Sequence, residues 1–374
     1  MRNKRGIPSI ILALALLIAA ICPCQALATG ALGLNRSNRK VGTAGDVTLA
    51  EANGTLTFGY GKIRVDLAGS AVNLADGRSA GDALTLDKDF GDTARITQTF
   101  EDATLETTCV PQADGAMRLT QSVQTKDGVS STRFRLVAPL HYDIIIPAWN
   151  GIRLTAENAA PYMSRMPYPN VWQAQMLLIQ AENGGLLVHA MDDGTQFKAL
   201  SISSDDQYFY IDIETIPQAP FTQYESFQTV EWAMVPYEGD WLRGALTYKA
   251  YAEALFHTPE IQAAKPDWAD DIQLVLLMDV VDKPLADALA QLVDPAKTVL
   301  HLVNWRTSNY DMNYPDYGVR PGLKEGIDYA HELGFKVSVH ANMLGAHLDN
   351  ADFISEHLED SAVLDASTGD MVIE

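Results

Sequence analysis

Cysteine is almost missing from this chain. There are three in 374 residues, and two of them, Cys22 and Cys24, fall within the first 28 positions. That excludes a disulfide-stapled scaffold. The remaining one, Cys109, reads as a small buried hydrophobe rather than a nucleophile. Basic residues are scarce too: 27 Lys and Arg stand against 48 Asp and Glu, a formal charge of −21. A surface this acidic repels phosphate backbones, so nucleic acid is not an expected partner. With 26 glycines the chain is not collagen-like, and 47% hydrophobic against 20% charged residues excludes a chain too polar to collapse. No Gly-x-Gly-x-x-Gly follows an apolar run, which weakens a dinucleotide-binding reading. No apolar stretch reaches the roughly 20 residues a spanning helix needs.

The longest apolar run, residues 10–21, has the character of a leader. Arg2, Lys4 and Arg5 precede it, and Ala26-Leu27-Ala28 supplies the small-x-small pattern of a signal-peptidase site. Residues 1–28 are read as a signal peptide cut after Ala28. Bulky Ile21 before Cys22 and Pro23 before Cys24 argue against lipoprotein anchoring. The mature protein is expected to be secreted or periplasmic, with no membrane contact after signal removal.

From about residue 46 to 240 the texture is β. Short segments rich in Thr, Val, Ile, Leu, Phe and Tyr alternate apolar with polar residues: 54–60, 62–67, 94–101, 103–110, 117–124, 131–138, 175–180, 185–191, 198–203, 207–213 and 228–236. Glu182-Asn183-Gly184-Gly185 and Asp192-Asp193-Gly194 are turn signals. So many strands predict a large antiparallel β-sandwich, assigned to residues 29–240. The texture changes at Gly239. Asp240 caps a predicted helix over 241–256, whose apolar stripe is Leu242, Ala245, Leu246, Tyr248, Ala252 and Leu255. Residues 241–271 form a helical linker ending in a polar, Pro-containing stretch.

Beyond it, apolar runs alternate with helical patterns. Strands are predicted at 272–278, 298–304 and 335–341, read as buried on both faces, with helices at 284–292, 323–333 (closed by Gly334) and 351–358. This alternation implies a parallel sheet with right-handed crossovers, and both a doubly wound sheet and a (β/α)8 barrel fit it. A barrel needs about 250 residues, whereas residues 272–374 hold three strand–helix units. The expected architecture is therefore β plus α/β, a sandwich followed by the first three units of an incomplete barrel, cut before the fourth strand. A finished three-stranded domain is disfavoured because its edges would be open to aggregation.

In a parallel barrel the groups that meet substrate follow the C-terminal ends of the strands. Asp279 follows the first strand. Asn304-Trp305-Arg306 follows the second and opens a loop with Asn309, Tyr310, Asp311, Asn313, Tyr314, Pro315, Asp316 and Tyr317. His340, Asn342 and Met343 follow the third. Aromatic rings stack on the C–H face of a sugar while Asp, Asn and His bond its hydroxyls. For any one of these residues a loop-packing or turn role is as good a reading; their convergence on one rim points to saccharide. His301 reads as a packed barrel residue, and His331 and His347 as surface residues. One His beside an amide is a poor metal shell, so neither metal nor cofactor is expected.

These pieces together resemble a glycoside hydrolase. The residues concerned are the sandwich, Gly239-Asp240-Trp241, Asn304-Trp305, the Asp311–Tyr317 stretch DMNYPDY, the 323–337 stretch LKEGIDYAHELGFKV, and His340 with Asn342. The 172–180 stretch WQAQMLLIQ, followed by a Gly-Gly turn and Asp192-Asp193, adds to them. The resemblance is to the broad group that includes α-galactosidase-like enzymes and endo-α-N-acetylgalactosaminidases, and in style to glycosidase-like proteins that place a β-supersandwich before a TIM barrel. It implies a nucleophile after barrel strand four and an acid/base after strand six, about 5–5.5 Å apart for retention. Neither strand lies in this chain, so no catalytic residue is named. What carries over is a substrate-binding rim of Asp279, Asn304, Trp305, Asp311, Tyr314, Asp316, His340 and Asn342. Trp149, Asn150 and Asp192 are candidates for a sandwich loop at the same site, with a turn or core role preferred. The expected function is a secreted glycoside hydrolase acting on α-linked oligosaccharide or polysaccharide, seen here as its N-terminal portion. A non-catalytic carbohydrate-binding protein is the alternative, and a metal-dependent barrel hydrolase is third.

Overall fold

The computed structural model describes residues 39–374 except 45–46, 53–54, 91–92, 114, 160–164, 195, 343–344, 366–369 and 373–374. The signal peptide, Cys22, Cys24 and Met343 lie outside the described residues.

Alternating apolar and polar residues put one face of each strand inward, and this folds the described residues up to Glu238 into two antiparallel sheets. One runs, in spatial order, Arg39–Ala44, Val47–Ala52, Thr55–Tyr60, Ile63–Leu74, Val129–Pro139, Tyr208–Thr215, Lys198–Ser204 and Met166–Tyr168. The other runs Ile152–Leu154, Asp143–Ile146, Met176–Ala181, Gly184–Met191, Glu231–Glu238, Met117–Thr125, Ala103–Pro111, Ala94–Thr99 and Thr85–Phe90, with Ser226–Gln228 beside Met117–Thr125. Their facing side chains form two core clusters, and in the larger one Trp172 and Trp232 stack at 6.1 Å. Cys109 is buried there, and burial raises its thiol pKa to about 12, so it stays a protonated, unreactive thiol. Strands Thr85–Phe90, Asp143–Ile146, Ile152–Leu154 and Met166–Tyr168 were not anticipated. Thr85–Phe90, Ile152–Leu154 and Met166–Tyr168 are sheet edges, and Asp143–Ile146 is a four-residue strand one place in from an edge; such short or polar pieces take their shape from a neighbouring strand.

The helix Trp241–Leu255 starts where expected, with the Asp240 carboxylate accepting from the Leu242 N–H at 3.1 Å. Part of the predicted stripe meets the sheet: Ala245 and Tyr248 pack against its core cluster, and Ala252 and Leu255 are half-buried, whereas Leu242 and Leu246 are exposed and Gly244 is the buried position. A Cβ at Gly244 would lie 2.6 Å from both Leu178 and Tyr237. The missing side chain lets the helix sit directly on the sheet, and that contact overrides the leucines. Within 257–271 lie a helix at Thr258–Ala263 and a 3-10 turn at Asp267–Asp271. No helix among the described residues is long and apolar enough to cross a membrane.

The last part is a parallel sheet of Leu274–Met278, Thr298–Leu302 and Lys336–Val339, in that order. Helices Lys283–Ala290 and Leu323–Glu332 cover one face through Ala286, Leu300, Leu302, Leu323, Ala330 and Phe335. At the second helix end Gly334 takes φ 105°, while Phe335 N–H returns to Ala330 O at 3.0 Å and Gly334 N–H to His331 O at 2.9 Å. The first strand is not buried on both faces, as its apolar run suggests. Leu274, Leu276 and Met278 turn toward the helices, while Val275 and Leu277 remain 60% and 71% exposed. Among the described residues only one layer of helices covers this sheet, so its other face stays open. The final predicted helix is also short: Ala351–Ser355 ends before His357, which is left-handed (φ 53°), and a 3-10 turn comes next at Leu358–Ser361.

Candidate functional site

Parallel register aligns the strand ends. Met278 pairs with Leu302, and Leu302 with Val339. The residues just beyond these ends therefore emerge along one edge of the sheet. The Asn304 side-chain amide donates to the Asp279 carboxylate at 2.8 Å, and the Asn304 backbone N–H to Asp279 O at 3.0 Å. From the third strand end, the Asn342 amide donates to Asp311 Oδ1 at 3.1 Å. His340 faces Tyr310, with ring centroids 5.1 Å apart. Asp279, Asn304, Asp311, His340 and Asn342 thus form two carboxylate–amide pairs and an imidazole along one rim. Each carboxylate keeps a second oxygen with lone pairs for further donors.

Three further candidates sit differently. Trp305 is only 9% exposed; its Nε1–H donates to His340 O at 2.5 Å, and Tyr317 stacks on it at 6.2 Å. Tyr314 is buried beneath the Arg306 guanidinium, 3.8 Å from its ring centre. The Asp316 carboxylate accepts from Gly318 N–H (2.9 Å), Ser308 hydroxyl (3.0 Å) and Asn313 amide (3.3 Å). The Gly318 N–H first, then the Ser308 hydroxyl, hold its carboxyl below the usual range. These three residues frame the loop. The ring faces that stay exposed belong to Tyr310 and Tyr317.

Arg306 is the residue the sequence did not single out. It is buried, and its guanidinium donates to Asp316 O at 2.8 Å and Asn309 O at 3.2 Å. Its own carbonyl accepts from Arg320 Nε at 2.6 Å. Thr307 N–H to Gly318 O and Arg320 N–H to Trp305 O close the loop's base at 2.7 and 3.1 Å. At the tip Asp311 and Asn313 take φ 57° and 56°, a region Asp and Asn enter more readily than other side chains. The loop from the third strand locks on from outside: the Asn350 amide donates to Asn313 O at 3.0 Å, and Tyr317 hydroxyl to Asn342 O at 2.9 Å. An arginine placed directly after a strand and before a polar loop was the one available clue.

His301, expected to be packed, lies on the open sheet face with Nδ1 2.8 Å from Ser338 Oγ. His331 is exposed. His347 is half-buried rather than a surface residue, with its backbone N–H on Tyr314 O at 2.9 Å. In the sandwich, Trp149 and Asn150 form a left-handed corner (φ 47° and 71°). Asp192 is buried in an ion pair with Lys198. Among the described residues no group of three or more His, Cys, Asp or Glu side chains is placed to hold a metal ion.

No protein-family model matches the chain, and no curated protein matches it by sequence. Solved structures do. The α-N-acetylgalactosaminidase NagBb of Bifidobacterium bifidum in complex with GalNAc matches with TM-score 0.64 at 14% identity, over 87% of this chain and 62% of that one. The ligand-free form matches with TM-score 0.62 at 14% identity, over 82% and 60%. A quadruple mutant matches with TM-score 0.59 at 13% identity, over 88% and 63%. The fold is therefore glycoside hydrolase-like, and the chain spans less than two thirds of the length of these neighbours.

Proposed function

We propose that this chain is the N-terminal portion of a secreted glycoside hydrolase acting on α-linked glycans. Its parallel sheet is the opening of a (β/α)8 barrel whose catalytic carboxylates lie beyond residue 374. The observation that carries this reading is the alignment of three strand ends that sets Asp279–Asn304 and Asp311–Asn342 on one rim beside the exposed rings of Tyr310 and Tyr317. Carboxylates and amides bond sugar hydroxyls, and tyrosine rings stack on sugar C–H faces. Arg306, Trp305, Tyr314 and Asp316 hold the rim in shape. Further barrel strands would add at the sheet's edges, and their inward side chains would cover its open apolar face. The likeness to an α-N-acetylgalactosaminidase makes an aryl α-N-acetylgalactosaminide the first substrate to try.

The test compares two preparations. The 374-residue chain alone should not hydrolyse aryl α-glycosides, whereas a complete polypeptide carrying the remaining barrel should. Turnover by the 374-residue chain would contradict the placement of the catalytic acids. A complete polypeptide that binds saccharide without turnover would favour a carbohydrate-binding protein on the same scaffold.

A further inference from the structure

The interior of the sandwich is not apolar throughout. One core cluster contains Leu67, Cys109, Leu119 and Phe134; a second contains Val72, Leu105, Val123 and Val129. These come from the same four strands, and between them each strand contributes one inward polar residue: Ser70, Thr107, Gln121 and Thr132. The polar positions fall at one level, as a belt across the space between the sheets.

Most of this belt is satisfied. Gln121 Nε2 donates to Thr107 Oγ1 at 3.2 Å and, across to the opposite sheet, to Arg133 O at 3.3 Å. Thr107 Oγ1 is 3.4 Å from Ser70 Oγ, which also crosses between the sheets. Two atoms are not satisfied. Gln121 Oε1 and Thr132 Oγ1 have no hydrogen-bond partner among the described residues, although both residues are only 1% exposed. Turning the Gln121 amide over does not help, because its oxygen would then face the Arg133 carbonyl. Both atoms belong to one neighbourhood, since the Gln121 amide touches the residue after Thr132.

Buried polar atoms without partners are rare, and internal water bridging two to four such groups is the usual remedy. We propose that this belt is a binding site for one ordered water molecule, which joins Gln121 Oε1 to Thr132 Oγ1 and so links the two sheets. The oxygen of Gln121 only accepts, so the water donates one proton to it. Its second proton or a lone pair meets the Thr132 hydroxyl, which can donate or accept. No charged side chain takes part in the belt's hydrogen bonds, so a neutral molecule fits it better than an ion. This inference is independent of the saccharide reading.

A crystal structure of the protein at a resolution that displays ordered solvent tests it. The expected result is a density peak within about 2.6–3.2 Å of both atoms. A direct contact between Gln121 Oε1 and Thr132 Oγ1 in that range, or two lone atoms without a peak, overturns the proposal. A second measurement uses Thr132→Val, Gln121→Met and the double variant. Thr132→Val keeps the side-chain shape, so the folded state remains accessible. If one water serves both groups, the double variant melts no lower than the less stable single variant. Melting losses that simply add overturn the shared water.

Discussion

Replacing Asp192 by asparagine would isolate one buried cation. Lys198 is 0% exposed and Asp192 5%. The Lys198 ammonium donates to Asp192 Oδ2 and to Gln196 O at 2.7 Å, and lies 5.2 Å from the Tyr168 ring centre. Asp192 also accepts from Gly194 N–H at 2.9 Å and Gln196 N–H at 2.7 Å. Asparagine keeps the shape and one acceptor but removes the countercharge. Breaking such a buried pair costs about 3–5 kcal/mol, which for a domain of this size lowers the melting point by roughly 10 °C. Burial lowers the Lys198 pKa, and the Asp192 carboxylate opposes that shift. Removing Asp192 therefore lowers it further. With the folded pKa below the unfolded one, the unfolded chain binds more protons in the window between them, so stability rises with pH there. The Asp192→Asn deficit should be largest near neutrality and shrink as pH climbs toward the ordinary lysine value. Chemical denaturation at pH 7 and pH 9 measures both effects, and Asp192→Asn with Lys198→Met should recover much of the loss. A single variant within about 0.5 kcal/mol of the parent at pH 7 would refute the argument, because surface positions behave that way.

Four other outcomes are expected. His189 is buried against Tyr248 and Tyr251, and burial pushes its pKa down to about 4. The unfolded histidine takes its proton first, so stability should fall by up to about 3 kcal/mol as pH drops from 6.5 toward 4; His189→Gln should flatten that part of the urea-midpoint profile. Gly244→Ala places a Cβ 2.6 Å from Leu178 and Tyr237 and should cost about 1–3 kcal/mol in chemical denaturation. Arg306→Lys loses the planar fork that grips Asp316 O and Asn309 O, so limited proteolysis should cut the 305–320 loop faster even though the charge is kept. Asp279→Ala should weaken saccharide binding by about tenfold or more, the worth of a hydrogen bond to a charged group, measured by titration calorimetry, with no matching fall in melting temperature.

The candidate rim was readable because parallel strands bring the residues just past their ends to a common edge. With Leu274–Met278, Thr298–Leu302 and Lys336–Val339 as parallel strands of one sheet, Asp279, Asn304 and His340 emerge there together. Chain order alone could not say which residues of the second loop face outward. Trp305 and Tyr314 look like sugar platforms by residue type, yet one is covered by Tyr317 and the other by Arg306. Arg306 looks like any surface charge until its guanidinium is found holding two backbone carbonyls.

Local pattern also set the sandwich strands and the start of the Trp241–Leu255 helix, because period-two alternation and an Asp cap act over a few residues. The β-then-α/β order and the edge on which polar groups collect both follow from short-range periodicity. Long-range packing is what brings Gly244 rather than Leu242 onto the sheet, seats Asp192 on Lys198, leaves one face of the small sheet open and joins the sandwich halves by a polar belt. Each of those depends on which distant strand arrives alongside, and a one-dimensional pattern carries no record of that neighbour.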